Sequence, residues 1–155
     1  MTLMIHEECK RFFWQIKKHF DYLFDQCGFS VVHEDGDGEH CLIVIQSGSC
    51  QMEFLYDKGI VEISVGTSQR RYYIFWVIKF VKGKQRPTLE EIDRIMELFW
   101  SGRTDDGLRT VSKMLKPVCR EVVELFQEKT FSKRQNELDE FYRAIAKSLS
   151  EGDVI

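Results

Sequence analysis

The stretch "FSVVHEDGDGEHCLIVIQSGSCQMEFLYDKGIVEISVGT", Phe29 to Thr67, decides the fold. Its apolar residues alternate with polar ones in four runs, "FSVVHE", "HCLIVIQS", "CQMEFLYD" and "IVEISVGT", which is the period of a strand with one buried face. The breaks at Asp35 to Gly38, Ser47 to Ser49 and Asp57 to Gly59 are built from the Gly, Asp and Ser that turns use. Links this short permit only antiparallel pairing, because a parallel crossover needs about a dozen residues or more. The four runs are therefore expected to form a meander of consecutive hairpins.

Upstream, Ile5, Cys9, Phe12, Ile16, Phe20, Leu23 and Cys27 recur at steps of three and four, with Phe13, Trp14 and Phe24 widening the stripe. This predicts one long amphipathic helix that ends at Gly28 and covers the sheet. Downstream, "YYIFWVIKFV" (Tyr72 to Val81) is apolar on both faces and reads as a fifth strand, central or covered on both sides. Beyond Pro87 the pattern turns helical, and "TLEE" (Thr88 to Glu91) is a capping box. "SGRTDDG" (Ser101 to Gly107) breaks the first of these helices, and Pro117 must kink or divide the stretch Leu108 to Glu128. "SKRQ" (Ser132 to Gln135) opens the last helix. The expected fold class is α+β: a long N-terminal helix, an antiparallel meander sheet of about five strands, then three to four C-terminal helices packed on the sheet. Residues 1–155 form one domain, a length that buries roughly 70% of the unfolded chain's surface.

Apolar residues at 43% and charged residues at 30% match globular averages and exclude disordered or collagen-like classes. No apolar run approaches the roughly 20 residues that span a bilayer, so no membrane association is expected. "MTLMIHEECKRFFW" carries acids where a signal peptide would be apolar, which points to the cytoplasm. The five cysteines (Cys9, Cys27, Cys41, Cys50, Cys119) are odd in number and lack a CxxC, so reduced, packed thiols are the expectation. Formal net charge is −3, but residues 1–68 hold 5 basic and 11 acidic side chains while residues 69–103 hold 8 and 4. An acidic N-terminal half repels nucleic acid and favours a basic protein partner.

The chemically richest run is "HEDGDGEHC", His33 to Cys41. As a calcium loop it fails, because His40 stands where an EF-hand needs glycine and no closing glutamate follows. His33, His40 and Cys41 are candidate zinc ligands, yet adjacent residues on a strand point to opposite faces, so His40 and Cys41 do not converge from a regular strand. The favoured reading is an acidic turn with a solvated carboxylate rim. His6 and Cys9 share a helical face at a chelating spacing, and a surface histidine beside a packed cysteine is the preferred account. Cys41 or Cys50 beside His40 would make a nucleophilic dyad, but no elbow motif supports one. Phosphate-binding glycine patterns are missing, and no cofactor is expected. Arg70, Arg71, Lys79, Lys82, Lys84 and Arg86 read as protection of a strand edge rather than as an anion site. Phe12, Phe20, Phe54, Phe75, Phe99 and Phe141 are assigned to the core, while Tyr56, Tyr72, Tyr73 and Trp76 are candidates for interface anchors.

The order helix, "FDQCGFSVV" (Phe24 to Val32), carboxylate-rich hairpin, "QMEFLYDKGIVEISVG" (Gln51 to Gly66) resembles small uncharacterised bacterial proteins and some immunity proteins of polymorphic toxin systems, over about residues 20–66. That resemblance implies a catalytically inert cytoplasmic binder that occludes a toxin, commonly a basic nuclease, with an acidic surface. The leading expectation is thus a non-enzymatic protein-binding domain in which Glu34, Asp35, Asp37 and Glu39, with Tyr56 and Asp57 of the next bend, meet the partner. A small metal-dependent or cysteine/histidine enzyme and a structural homo-oligomer are the alternatives.

Overall fold

In the computed structural model, which describes residues 7–37 and 39–151, the chain is α+β. Helices α1 (Glu7–His19) and α2 (Asp21–Asp25) precede strands β1 (Ser30–Gly36), β2 (His40–Ser47), β3 (Cys50–Asp57), β4 (Ile60–Gly66) and β5 (Arg71–Tyr73). Helices α3 (Ile74–Val81), α4 (Leu89–Trp100), α5 (Thr104–Leu115), α6 (Cys119–Leu125) and α7 (Glu128–Glu151) follow. The five strands pair antiparallel in sequence order, so the meander forms as its alternation and turns require. Lys58 and Gly59, at φ of 52° and 88°, make the β3–β4 bend.

Paired residues share a face, and the two faces differ sharply. Cys41, Ile43 and Ile45 of β2, Met52 and Phe54 of β3, and Ile63 and Val65 of β4 are sealed in one core with Phe12, Ile16, Phe20 and Leu23. The opposite, outer face carries Leu42, Gln51, Glu53, Leu55 and Ser64, all half-buried. Stripping that inner face from water is the dominant stabilisation, at about 1.5–3 kcal/mol for each large apolar side chain.

Five expectations are corrected. The predicted N-terminal helix is two helices broken at Phe20, because Ser112 Oγ donates to the His19 carbonyl that the helix would otherwise use, while the Leu23 amide turns to Phe20 O at 3.0 Å. Trp14, placed on the apolar stripe, is 60% exposed with Lys18 Nζ 5.1 Å from its ring centre. Only Tyr72 and Tyr73 of the run Tyr72 to Val81 are strand. From Ile74 it becomes α3, whose Ile74, Phe75, Trp76, Val77, Ile78 and Phe80 are buried among β4, β5, α5, α6 and α7. An all-round apolar run suits a buried helix as well as a buried strand, and only the helix satisfies its backbone without neighbouring strands. The basic run that was to guard an edge is instead largely consumed internally: Arg70 pairs with Asp139, Arg71 with Glu53, Lys79 with Glu91 and Lys84 with Glu137.

The fifth correction is chemical. Cys9 and Cys41 form a disulfide, with Cα atoms 5.4 Å apart, that ties α1 to the first residues of β2. Gly36, opposite Cys41 in the ladder, leaves room for it: a Cβ there would lie 2.6 Å from Cys9 Sγ. Disulfides are uncommon in the reducing cytoplasm, so this bond weighs against the cytoplasmic expectation. No helix among the described residues is long and apolar enough to cross a membrane.

Other boundaries follow local chemistry. The Thr88–Glu91 capping box forms as read, and Pro117 divides its stretch through a 3-10 turn at Lys116–Val118. "TDDG" belongs to α5 rather than to the break, with Asp105 and Asp106 in its first turn, where carboxylates favour the helix dipole. The last helix starts at Glu128, four residues before "SKRQ", because Ser49 Oγ of the β2–β3 turn accepts its amide at 3.1 Å. Gln127 grips the same turn, accepting from Ser49 N at 3.3 Å and donating to Ser47 O at 3.2 Å. Residues 5 and 6 lie outside the described residues, and with them the reading of His6 as a surface histidine beside Cys9.

Replacing both Cys9 and Cys41 with alanine is expected to lower the unfolding free energy by about 2–4 kcal/mol, measured by urea denaturation, since the bond closes a loop of sequence separation 32.

Candidate functional site

The β1–β2 hairpin is the most open part of the sheet. Residues 30–35 of β1 are all exposed, and among the described residues β1 pairs only with β2, leaving its other edge without a strand neighbour. The register slips between Val31 and His33, making Val32 the bulged residue, and that side chain is 52% exposed. Glu34 stands opposite Ile43 and Asp35 opposite Leu42, so their carboxylates leave from opposite faces of the edge strand. Among the described residues, the carboxylates of Glu34, Asp35 and Glu39 make no ion pair or side-chain hydrogen bond.

Asp37 does different work. Its Oδ1 accepts from the amides of His40 at 3.0 Å and Glu39 at 3.3 Å, folding the turn back on β2. These amides, that of His40 first, hold the Asp37 carboxyl below its usual range. Asp57 is also engaged: its Oδ1 is screened from solvent and faces His40 Nδ1 at 2.9 Å. Tyr56 stands on the inner face opposite Cys41, half-buried, its ring 5.5 Å from that of Phe12. The hairpin thus presents Glu34, Asp35 and Glu39 freely, uses Asp37 and Asp57 as local ties, and sends Tyr56 to the other side of the sheet.

The zinc and dyad alternatives lose their parts. Cys41 is bonded to Cys9 and fully buried, His40 is held on the outer face by Asp57, and His33 stands opposite Val44 on that outer face. No group of three or more His, Cys, Asp or Glu side chains suited to a metal ion occurs among the described residues. Burial pushes the Cys50 thiol up to about 12, which keeps it protonated and unreactive at neutral pH.

A second feature lies on the same outer face. Pairing aligns Asp35 of β1, Leu42 of β2, Leu55 of β3 and Glu62 of β4 in one row across the sheet. Leu55 and Glu62 open onto a groove of about 380 Å³ walled by Tyr73, Trp76, Trp100 and Tyr142, with Glu53 and Arg71 at its floor. Arg71 Nη1 lies 3.3 Å from Glu53 Oε2, and Ser64 Oγ donates to the same oxygen at 3.3 Å, so Glu62 is the carboxylate left unpaired there. Burial, with Glu62 and Tyr142 nearby, raises the pKa of the Tyr73 hydroxyl. Three strand spacings put this groove about 14 Å from the hairpin edge. Of the four candidate anchors, Tyr72, Tyr73 and Trp76 line the groove. Tyr72 is buried, donating to Asp139 Oδ1 at 2.5 Å under the Arg70 guanidinium, and Tyr56 faces away. Trp100, 61% exposed, was missed because its position at the end of an amphipathic helix gives no sign that a sheet faces it.

Comparison with protein-family models, with curated proteins and with solved structures gives no match.

Because the folded-state pKa of Asp37 is depressed, its contribution to the turn is complete above its ordinary value of 3.8 and is lost as pH falls through the lower folded value. Hydrogen exchange at the Glu39 and His40 amides should therefore show protection that persists at pH 3.8 and disappears in stronger acid, and Asp37→Ala should remove it at neutral pH.

Proposed function

We propose that the protein is a non-enzymatic binding domain, of the kind that immunity-type inhibitors represent, which meets a basic protein through the β1–β2 hairpin and the outer sheet face. One observation carries this reading: Glu34 and Asp35 project from an open edge strand, and Glu39 from the bend after it, with no ion pair among the described residues, while Arg70, Arg71, Lys79 and Lys84 pair with acids of the same chain. Unpaired carboxylates at a solvated edge raise the encounter rate with a positive surface and cost little desolvation until a partner arrives. The row from Asp35 to Glu62 extends the acidic edge to an aromatic groove, and tyrosine and tryptophan supply anchoring energy that charge alone does not. In this reading the carboxylates steer and the groove retains.

The test uses the combined variant Glu34→Gln, Asp35→Asn, Asp37→Asn and Glu39→Gln beside the unaltered protein, each immobilised and exposed to extract of the source cell at low salt, with bound protein eluted by increasing salt. The expected result is a basic protein retained by the unaltered chain, with retention by the variant reduced at least about tenfold and a flatter salt dependence. Equal retention with the same salt slope would overturn the assignment of the hairpin. A Trp100→Ala variant should release the partner faster while leaving the salt slope unchanged.

A further inference from the structure

Cys27, Cys50 and Cys119 remain outside the Cys9–Cys41 bond. Cys27 follows α2 in the loop leading to β1, and Cys119 opens α6, 92 residues later. Their sulfurs are 2.6 Å apart. That is longer than the about 2.05 Å of a formed bond, yet closer than two unbonded sulfurs normally pack, so the two sulfurs already stand close to bonding distance.

The surroundings hold them there. Cys27 O accepts from Ser47 Oγ at 2.7 Å, which fixes the loop against the end of β2. Gly28 takes the left-handed φ of 72° that turns the chain into β1 at this point. On the other side, Gln127 of the α6–α7 link grips the β2–β3 turn, so α6 and the sheet end are held in register. Cys27 is half-buried, whereas Cys119 and Cys50 are buried. A reagent from solvent reaches Cys27 first.

We propose that Cys27 and Cys119 are a redox-active dithiol that closes to a second disulfide when a low-molecular-weight disulfide such as oxidised glutathione is the oxidant. The Cys27 thiolate attacks one sulfur of the oxidant, breaks its S–S bond and releases one thiolate, leaving a mixed disulfide on Cys27. Cys119 gives its proton to solvent or to the departing thiolate, attacks Cys27 Sγ and expels the second thiolate. The protein loses two electrons and two protons, and the oxidant is reduced to two thiols. Burial, with Cys27 adjacent, raises the pKa of the Cys119 thiol, so it attacks as the resolving rather than the first thiol. Cys50 stays reduced, sealed from solvent and left without a partner by the two bridges.

Closure takes place at the Ser47 end of β2, roughly 24 Å along the strand from the acidic hairpin at its His40 end. It ties the α2–β1 loop to the C-terminal helices without covering the proposed binding face, so it stands or falls apart from the functional reading.

The first arm of the test uses the unaltered chain. Folded protein purified without reductant is incubated with oxidised glutathione, denatured, alkylated and digested under non-reducing conditions. The expected result is a peptide linking Cys27 to Cys119 beside the one linking Cys9 to Cys41, alkylation at Cys50 only, and an oxidised form whose thermal midpoint lies roughly 5–15 °C above that of the form with Cys27 and Cys119 reduced. In Cys119→Ser, Cys27 should stop at the glutathione adduct, which intact mass reads directly. Full alkylation of both Cys27 and Cys119 after oxidation, or a bridge from either to Cys50, would overturn the proposal.

Discussion

The structure depends on the burial of one side of a five-stranded meander. Cys41, Ile43, Ile45, Met52, Phe54, Ile63 and Val65 emerge on the same face because every pair in the ladder preserves the alternation, and a one-residue slip would turn the whole set into solvent. Covering that face requires a helical layer, and α1 supplies its first part with Phe12 and Ile16. The Cys9–Cys41 bond joins the two layers covalently near the start of β2, and the Gln127 contacts clasp the other end of the same strand. The outer face, freed from any duty in the core, keeps polar and charged side chains between its leucines.

Much of this was legible from residue order. Period-two alternation, Gly and Asp at the bends, the Thr88 box and Pro117 each act through local physics, and each element they mark is present. What escaped depends on contacts between distant segments. Ser112 breaks the first helix at Phe20 from a position 93 residues away from its acceptor. Ser49 sets the start of α7 across 79 residues. The run from Tyr72 to Val81 carries no period because it is buried on all sides, and burial on all sides erases the signal that separates helix from strand.

The candidate site divides in the same way. The acidic bend could be recognised from its composition, and its exposure follows from strand β1 lying at the sheet edge. That Asp37 is tied into the turn, that Asp57 faces His40 and that Tyr56 crosses to the inner face are consequences of register, which no spacing rule supplies. The aromatic groove was hidden more deeply, since Tyr73, Trp100 and Tyr142 come from three elements that meet only when the sheet edge and the helices are assembled. Charge behaves likewise: counts along the sequence show a basic middle segment, but folding pairs six of its cations with acids, four of those acids beyond its ends, and leaves the hairpin negative.

The bulge at Val32 also has a bearing on crowded solutions. An open β-edge is a template on which identical molecules stack into fibres. Two copies of β1 side by side in the same direction would set Glu34 against Glu34 and Asp35 against Asp35, whereas head to tail they would press those acids against Val31 and Val32. The extra residue then interrupts whatever ladder begins. The strand can stand at an open edge because it is a poor seed for its own polymer.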